Sequence, residues 1–220
     1  MLMNCFFRLA VAAICLASVN ATAAVVYSNT FTPNTGTLSD ASNGIFVYDR
    51  FSLGAPANVD AVEWRGFYPF QMGSLPLLDQ FTINFYNDNS GLPGTLQGSF
   101  PLGNAVNRVG TGQFFDPGVE FFAYRATLGA GLDLDAGTHW ISIFNNTLVE
   151  LPDWHWATDI FLPPTGLLQN AGEFSPAFTY FYVLSDTMAP PNGVSEPTPL
   201  ILLGVALAML GITRRRVSPI

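Results

Sequence analysis

Short stretches of alternating apolar and polar residues fill the middle of the chain, and turn-forming residues separate them. Residues 81–85 alternate strictly as Phe-Thr-Ile-Asn-Phe, and residues 120–128 carry apolar side chains at every second position. Because successive side chains of a strand point to opposite faces, this period of two predicts strands with one buried face. Residues 138–144 are largely apolar on both faces, which is typical of a strand in the centre of a sheet.

The same pattern predicts at least eight strands in the middle of the chain. They are expected at 46–51, 59–64, 81–85, 95–100, 120–128, 138–144, 154–158 and 178–184. We expect breaks at 87–94, at 129–131 and at 133–137, where Gly, Pro, Asn and Asp cluster. No segment there keeps a helical period for three turns. The sequence therefore predicts an all-β domain over residues 24–189, a β-sandwich or jelly roll, followed by a spacer at 190–193.

Composition supports a packed domain and excludes several partners. Of the 220 residues 49% are apolar and 11% are charged, whereas disordered chains combine few apolar residues with high net charge. Both cysteines, Cys5 and Cys15, precede the predicted domain, so disulfides and thiolate chemistry are not expected within it. Residues 24–195 hold four arginines, no lysine and fifteen carboxylates, a net charge of −11. Such a surface repels phosphate backbones, so we expect no nucleic-acid partner.

Residues 1–23 have the order of a secretory signal peptide. Arg8 precedes an apolar run at 9–19, and the small residues Ala21 and Ala23 stand at the positions that signal peptidases read before a cleavage at Ala24. The apolar run is shorter than the about 20 residues that cross a bilayer as a helix. A permanent N-terminal anchor is the alternative.

The C-terminal segment, residues 194–220, combines a short motif, an apolar run and a basic cluster. A transmembrane helix is predicted over about 199–213. Around it lie the motif residues Val194, Ser195, Glu196 and Pro197 and the basic residues Arg214, Arg215 and Arg216. This order resembles the PEP-CTERM sorting signal, which exosortase-type membrane proteases of Gram-negative bacteria recognise. Ser195 stands where that family commonly has Pro, which puts the efficiency of cleavage in doubt.

The resemblance implies a route for the chain. The apolar stretch at 200–212 has 13 residues and would span about 20 Å as a helix, short of the roughly 30 Å hydrocarbon core, so it would hold weakly. The arginines would stay on the cytoplasmic side and the Glu-Pro motif would lie near the outer interface. We therefore expect transient membrane insertion, an exosortase-type protease as partner, and delivery to the cell envelope, outer surface or extracellular matrix. The alternative is a simple C-terminal anchor that is never cut.

Three segments of the predicted domain resemble an extracellular β-sandwich module of exported bacterial proteins. They are residues 79–94, 136–143 and 154–158. The resemblance implies a fold and a location outside the cell, and it brings no catalytic residues with it.

Residues with the chemistry for catalysis or metal binding are few. His139 and His155 lie in no catalytic motif, and two acids in one turn, Asp133 and Asp135, suit a solvated loop as well as a glycosidase pair. The turn at Asn87, Asp88 and Asn89 offers oxygen ligands of the kind that Ca²⁺ requires, although Gly98 stands where an EF-hand loop has its last carboxylate. The alternative is that Asn and Asp are there for turn geometry. No other cofactor is expected.

The tryptophans raise the question of sugar binding. Trp154 and Trp156 are two positions apart and share one face of a strand, and Trp64 precedes several further aromatic residues. Aromatic rings stack on the apolar faces of pyranose rings, but a core also needs large aromatic side chains. Exposure of these side chains separates the two interpretations.

Together these patterns predict an exported, non-enzymatic protein with a structural or interaction role at the cell surface or in an exopolysaccharide or biofilm matrix. A carbohydrate-binding module that uses its aromatic residues is the alternative, and polysaccharide is its implied partner. A glycan hydrolase is the third hypothesis.

Overall fold

The computed structural model describes residues 23–69, 79–147 and 152–187, which fall within one compact unit, Ala23–Met188. The predicted signal peptide up to Thr22, the spacer and the whole sorting segment lie outside the described residues. The predicted cleavage point before Ala24 coincides with the start of the first strand. No helix among the described residues is long and apolar enough to cross a membrane.

The described residues form strands joined by short turns. The strands are β1 (Ala24–Asn29), β2 (Thr35–Leu38), β3 (Ile45–Leu53), β4 (Ala57–Phe67), β5 (Phe81–Asn89), β6 (Leu92–Gly103), β7 (Asn107–Asp116), β8 (Val119–Leu134), β9 (Gly137–Phe144), β10 (His155–Asp159), β11 (Gly166–Asn170), β12 (Glu173–Ala177), β13 (Thr179–Tyr180) and β14 (Tyr182–Asp186). One 3-10 turn, Ala41–Asn43, lies between β2 and β3. The predicted all-β class is confirmed.

Two antiparallel sheets account for these strands. The six-stranded sheet has the order β12-β11-β3-β9-β5-β6. The eight-stranded sheet follows the path β1-β14-β4-β10-β13, with β8 on the other edge of β4, β7 beyond β8, and β2 beside β10. Strand β9, predicted from its apolar character on both faces, is paired on both edges near the middle of its sheet.

Two predicted breaks are corrected by the structure. The loop expected at 87–94 is a tight turn at Ser90 and Gly91, whose φ angles are 55° and 86°, and the strands run through the remaining positions. Positive φ at both central residues matches the twist of a hairpin, so two residues suffice. The stop expected at 129–131 lies inside β8, where Gly129 and Gly131 adopt φ of 71° and 77°. Glycine allows the strand to bulge there, and the pairing with β4 that stops at Thr127 resumes at Leu132.

Side chains from both sheets meet in one aromatic core. Phe81 of β5 lies against Trp64 of β4, Tyr124 of β8 and Trp154, with ring centroids 5.2, 4.9 and 5.0 Å apart. The row predicted to be buried on β8 is buried in full: Phe122, Tyr124, Ala126 and Leu128. Stacked and edge-to-face rings bury large areas in favourable geometry, which explains the use of aromatic residues in a chain without disulfides in this domain.

Candidate functional site

The three tryptophans considered for sugar stacking belong to the core. Trp64, Trp154 and Trp156 are each 0% exposed. Trp156 lies against Tyr180 at 4.9 Å, and its indole N–H donates to the Phe181 carbonyl oxygen at 3.0 Å. A ring without exposed surface cannot stack on a ligand, so the prediction of a sugar site at these residues is wrong. The alternative interpretation, a core face, is correct for all three.

The oxygen-rich segment considered for Ca²⁺ is engaged in local hydrogen bonds. One Asp88 carboxylate oxygen accepts from the Trp140 indole N–H at 2.7 Å and the other from the Gly91 amide at 3.1 Å. The Asn87 side-chain oxygen accepts from the Thr95 amide, while Asn89 pairs with Leu92 at the end of the hairpin. Within the described ranges, no group of three or more His, Cys, Asp or Glu could hold a metal ion. Hydrogen bonds within the domain therefore engage the side-chain oxygens of Asn87 and Asp88, through the hairpin turn and through Trp140.

The histidines serve packing. Both ring nitrogens of buried His139 are engaged, with the Gln97 side-chain oxygen and the Asp135 carbonyl oxygen, each at 2.9 Å. The ring of His155 stacks on Phe67 at 5.3 Å, and burial lowers its pKa below the ordinary value. The acids Asp133 and Asp135 are both exposed at the end of β8 and the turn that follows.

The face of the six-stranded sheet that points away from the core carries a different set of residues. Cross-strand pairing places Tyr86, Trp140 and Arg50 in one row over β5, β9 and β3. The next row is Asn84, Ser142 and Tyr48. We call these six residues, together with what they contact, the outer face of the six-stranded sheet.

Two tyrosine rings on this outer face meet across the central strand. Neighbouring strands lie about 4.8 Å apart, so β3 and β5 are separated by about 10 Å. The ring centroids of Tyr48 and Tyr86 are only 5.6 Å apart, so the rings lean towards each other over β9. This explains why Trp140 and Ser142 are only 2% and 1% exposed although they point away from the core. We call this arrangement the tyrosine bridge.

Hydrogen bonds hold the aromatic side chains of this face in place. The Tyr48 hydroxyl donates to the Gln169 side-chain oxygen at 2.8 Å, and the side-chain N–H of Asn84 donates to the Tyr86 hydroxyl at 3.1 Å. Burial raises the pKa of Tyr48 well above its ordinary value, so its hydroxyl stays protonated at neutral pH. The rings are therefore preorganised by polar contacts at their rims.

Two polar atoms of this face have no hydrogen-bond partner among the described residues. They are the Ser142 hydroxyl oxygen and the Asn84 side-chain oxygen, which belong to paired positions of β9 and β5. A buried polar atom left unsatisfied costs about 1–3 kcal/mol, so such atoms are uncommon in folded proteins. Five further atoms without partners in the described ranges belong to core residues, Trp64, Tyr124, Trp154, Tyr180 and Tyr182, so the two on this face are set apart by facing away from the core and by their position on paired strands.

Arg50 adds unused donors to the same face. Its guanidinium lies 5.9 Å from the centre of the Trp140 ring and the residue is exposed. The other arginines of residues 24–195 have polar partners: Arg65 donates to Gln113, Arg108 to Asp79 and Arg125 to Glu63. No described residue forms a hydrogen bond or an ion pair with the Arg50 side chain. Its N–H groups are therefore available to a ligand.

The outer face of the eight-stranded sheet is aromatic in another way. Phe67 lies between the rings of His155 and Phe115, at 5.3 and 5.1 Å, and meets Phe121 edge-on at 5.2 Å. Arg65 covers the ring of Phe181 at 4.3 Å. These residues form a small hydrophobic cluster of their own, which we call the Phe67 cluster.

A buried carboxyl lies on the inner side of β3. The two oxygens of Asp49 accept hydrogen bonds from the Arg50 and Tyr180 amides, the Thr165 hydroxyl and the Asn29 side chain, at 2.6 to 3.2 Å. Burial nevertheless raises the pKa of Asp49 to about 7, and the hydrogen bonds oppose that shift only in part. The group joins β1, β3 and the segments around β11 and β13, which is a structural role.

Sequence reasoning missed Tyr48, Tyr86, Arg50 and Ser142 as a group. A signal was present, since 46–51 carries aromatic residues on both faces of the strand, Phe46 and Tyr48 on one and Phe51 on the other, and 138–144 is apolar on both faces. The strand pairing that joins them comes from segments far apart in sequence, which the pattern does not show.

The fold and this site define an all-β protein built of two antiparallel sheets with a shared aromatic core. No family model, curated protein or solved structure matches the chain.

Proposed function

We propose that the chain is an exported protein of the cell surface or extracellular matrix of a Gram-negative bacterium, with a non-enzymatic interaction role. The observation that carries the interaction role is the outer face of the six-stranded sheet, where Arg50, Ser142 and Asn84 keep hydrogen-bonding groups that no described residue satisfies. Residues 1–23 and 194–220 support the route, because they resemble a signal peptide and a PEP-CTERM sorting signal.

The proposed architecture of the exported domain is a β-sandwich of jelly-roll type. The shared core supports it, since residues of β4, β8, β10 and β14 contact residues of β3, β5 and β9 there. A closed pair of sheets needs no disulfide if its core is large and well packed. Such a domain suits the outside of the cell, where it would be released or retained after processing at both ends.

Processing by an exosortase-type protease is the part of the proposal most open to a direct test. The chain would be expressed in its host with and without that protease, and the C-terminal peptide identified by mass spectrometry. We expect cleavage near Glu196 only when the protease is present, with residues 199–220 removed. Ser195→Pro should raise the cleaved fraction, because it restores the residue common in the family, and Glu196→Gln should lower it.

Glu173→Gln provides a matched control, because Glu173 is an exposed acid of β12 outside the sorting segment. It should leave cleavage unchanged. Normal surface display of an uncut chain in cells without the protease would overturn the proposed route and favour the simple C-terminal anchor.

Carbohydrate binding is the second candidate function. Trp64, Trp154 and Trp156 cannot serve as its binding residues, because all three lie in the core. The aromatic and polar residues on the outer face of the six-stranded sheet favour it instead. Within the described part of the chain no observation favours glycan hydrolysis, and we do not propose it.

A further inference from the structure

We infer that the outer face of the six-stranded sheet binds an uncharged glycan, with the exposed Arg50 donating to sugar hydroxyls and the partly exposed ring of Tyr86, beside the buried Tyr48, contacting the pyranose rings. The inference deepens the proposed interaction role and rests on it. The residues that carry it are Arg50, Tyr48, Tyr86, Asn84 and Ser142, none of which was assigned a role by the sequence patterns.

The unpartnered polar atoms restrict the chemistry of the ligand. Arg50 offers only donors, whereas the Asn84 oxygen offers only an acceptor and the Ser142 hydroxyl can do either. A ligand that satisfies all three must carry donors and acceptors close together. Sugar hydroxyl groups do both, and an apolar ligand would leave the Asn84 and Ser142 atoms unsatisfied.

The aromatic residues restrict its shape. Tyr48 and Tyr86 are tilted by 60° to each other, and Phe174 lies edge-on to Tyr48 at 5.5 Å on the far side. These rings form a row across β12, β3 and β5 with hydroxyl groups at its rim. Pyranose rings combine an apolar C–H face with a polar rim, and they match such a row in both respects.

The charge of the domain restricts the ligand further. Residues 24–195 carry a net charge of −11, and Asp88 contacts Trp140 within the site. Arg50 alone does not offset the negative electrostatic field of the domain for a polysaccharide that carries a negative charge on every sugar. The field opposes polyanions over about a Debye length, roughly 8 Å at physiological salt. An uncharged glycan avoids this repulsion and still uses the five N–H donors of Arg50.

Ligand binding requires a small movement of the tyrosine bridge. Ser142 is 1% exposed beneath it, so a sugar hydroxyl reaches the serine only when the Tyr86 ring swings away from Tyr48. Tyr86 is the ring that moves, because it is partly exposed and its hydroxyl gives up one hydrogen bond, from the Asn84 side chain, whereas Tyr48 is buried and held by Gln169. Trp140 would then become accessible at the edge of the bound sugar.

The primary experiment measures retention of the full chain, purified in mild detergent because of its apolar ends, on native gels containing a polysaccharide. The probes are laminarin, hydroxyethylcellulose and dextran as uncharged glycans, and alginate as an anionic one. We expect retention by at least one uncharged glycan. Arg50→Gln and Tyr86→Ala should each weaken it about tenfold or more, since each removes a direct contact.

A matched control separates the site from general effects of charge. Arg125→Gln removes one exposed arginine from the eight-stranded sheet and should leave retention unchanged. Thermal unfolding of every variant shows whether a loss of retention is a loss of fold. If Tyr86→Ala lowers the melting temperature by more than a few degrees, Arg50→Gln carries the test, because its exposed side chain makes no polar contact in the described residues.

Tryptophan fluorescence provides a second readout. Three of the four tryptophans are in the core, and Trp140 alone faces the site. The bound glycan should change the emission of the wild-type chain and the access of acrylamide to Trp140. Trp140→Phe should abolish that change while the emission of the other three remains.

Three outcomes would overturn the inference. They are retention by none of the uncharged probes, retention by alginate alone, or unchanged retention of Arg50→Gln. Sedimentation equilibrium tests whether a second copy of the chain covers this face instead of a glycan. If the wild-type chain is a dimer and Arg50→Gln is a monomer, a second copy is the occupant. Failure of glycan binding leaves the cleavage and display results intact, so it is distinguishable from failure of the proposed export route.

Discussion

The two sheets differ on the faces that point away from their shared core. On the eight-stranded sheet, the rings of the Phe67 cluster pack against one another, and Arg65 and Arg125 have polar partners. On the six-stranded sheet, two tyrosines with bonded hydroxyls lie near an arginine and two oxygens that have no hydrogen-bond partner in the described part of the chain. Both faces are aromatic, so aromatic content does not distinguish a binding site from packing. Unsatisfied atoms alone do not distinguish them either, since five described core residues also carry one: Trp64, Tyr124, Trp154, Tyr180 and Tyr182. What distinguishes the six-stranded sheet is that its two unsatisfied atoms lie on the face pointing away from the core, together with the exposed Arg50.

The largest effect that would sharpen this comparison is expected in the Phe67 cluster. Phe67→Ala should lower the free energy of unfolding by about 3–5 kcal/mol, because Phe67 is buried and its truncation leaves a cavity among three rings. Differential scanning calorimetry should show a melting temperature lower by about 10 °C. Glycan retention per folded molecule should not change.

Phe114→Ala serves as the control for Phe67→Ala, because Phe114 lies in the neighbouring β7 and is 59% exposed. It should change stability by less than about 1 kcal/mol. Similar losses in both variants would show that the Phe67 cluster is not a packing unit, and the contrast between the two faces would fail.

The second expected effect is a pH dependence of stability, and it concerns Asp49 on the inner side of β3, opposite the outer face of the six-stranded sheet. The pKa of Asp49 is about 7 in the folded chain and 3.8 in an ordinary carboxyl, so the folded state binds the proton more tightly. Its contribution to stability is therefore full below about pH 4 and is lost as the pH rises through about 7. The difference corresponds to roughly 4 kcal/mol, to be measured by urea unfolding between pH 4 and pH 8.

Asp49→Asn should flatten that pH dependence, and Asp135→Asn, at an exposed turn, should leave it as in the wild type. Glycan retention by folded Asp49→Asn should persist, since the side chain faces the core. A pH dependence of the same size in Asp49→Asn would assign the effect to the net charge of the domain instead.

Two serines allow a test of smaller size. The Ser39 hydroxyl donates to the Ile143 carbonyl oxygen at 2.7 Å and accepts from the Val47 amide at 3.2 Å, whereas the Ser142 hydroxyl has no partner among the described residues. Ser39→Ala should lose about 1–3 kcal/mol of stability. Ser142→Ala should be neutral or stabilising by about 1 kcal/mol, because it removes an unsatisfied group. Chemical unfolding of the two variants measures this difference. If Ser142→Ala were destabilised more than Ser39→Ala, the Ser142 hydroxyl would have a partner and the contrast between the two serines would fail.

The smallest effect is expected at the Arg125–Glu63 pair on the eight-stranded sheet. Both side chains are nearly half exposed, 49% and 44%, and their charges are 2.9 Å apart. Exposed ion pairs contribute about 0–1 kcal/mol, so Arg125→Gln should hardly change the melting temperature. Arg108→Gln provides the contrast, because its partner Asp79 is buried, and it should lose about 1–3 kcal/mol. Equal losses in these two variants would show that burial does not decide the strength of the pairs.

Much of the fold could be predicted from local patterns. Each of the eight expected strands overlaps a strand of the structure, and β9 has the central position that its apolar character on both faces indicated. The ends of elements were less predictable. A two-residue turn at Ser90 and Gly91 replaces a longer loop, and β8 passes through Gly129 and Gly131, because positive φ angles can close a hairpin or bend a strand equally well.

The outer face of the six-stranded sheet could not be predicted in the same way. Trp154 and Trp140 both fall in segments that the sequence predicts to be strands with apolar residues on each face, and the pattern does not say which face meets the other sheet. Pairing with β3 and β5 turns Trp140 away from the core, whereas Trp154 packs on Phe81. The pairing also places Arg50 next to Trp140 on this face, where its side chain forms no hydrogen bond or ion pair with a described residue.

The amino-acid sequence alone determined the strand period, the aromatic and cysteine-free character of the domain and the order of segments at its two ends, because these depend only on neighbouring residues. The tertiary structure alone decided which rings are core, which turns are tight and which polar groups are left without partners. Those properties depend on contacts between strands tens of residues apart, and the period of two is the same whichever face of a strand becomes the inside.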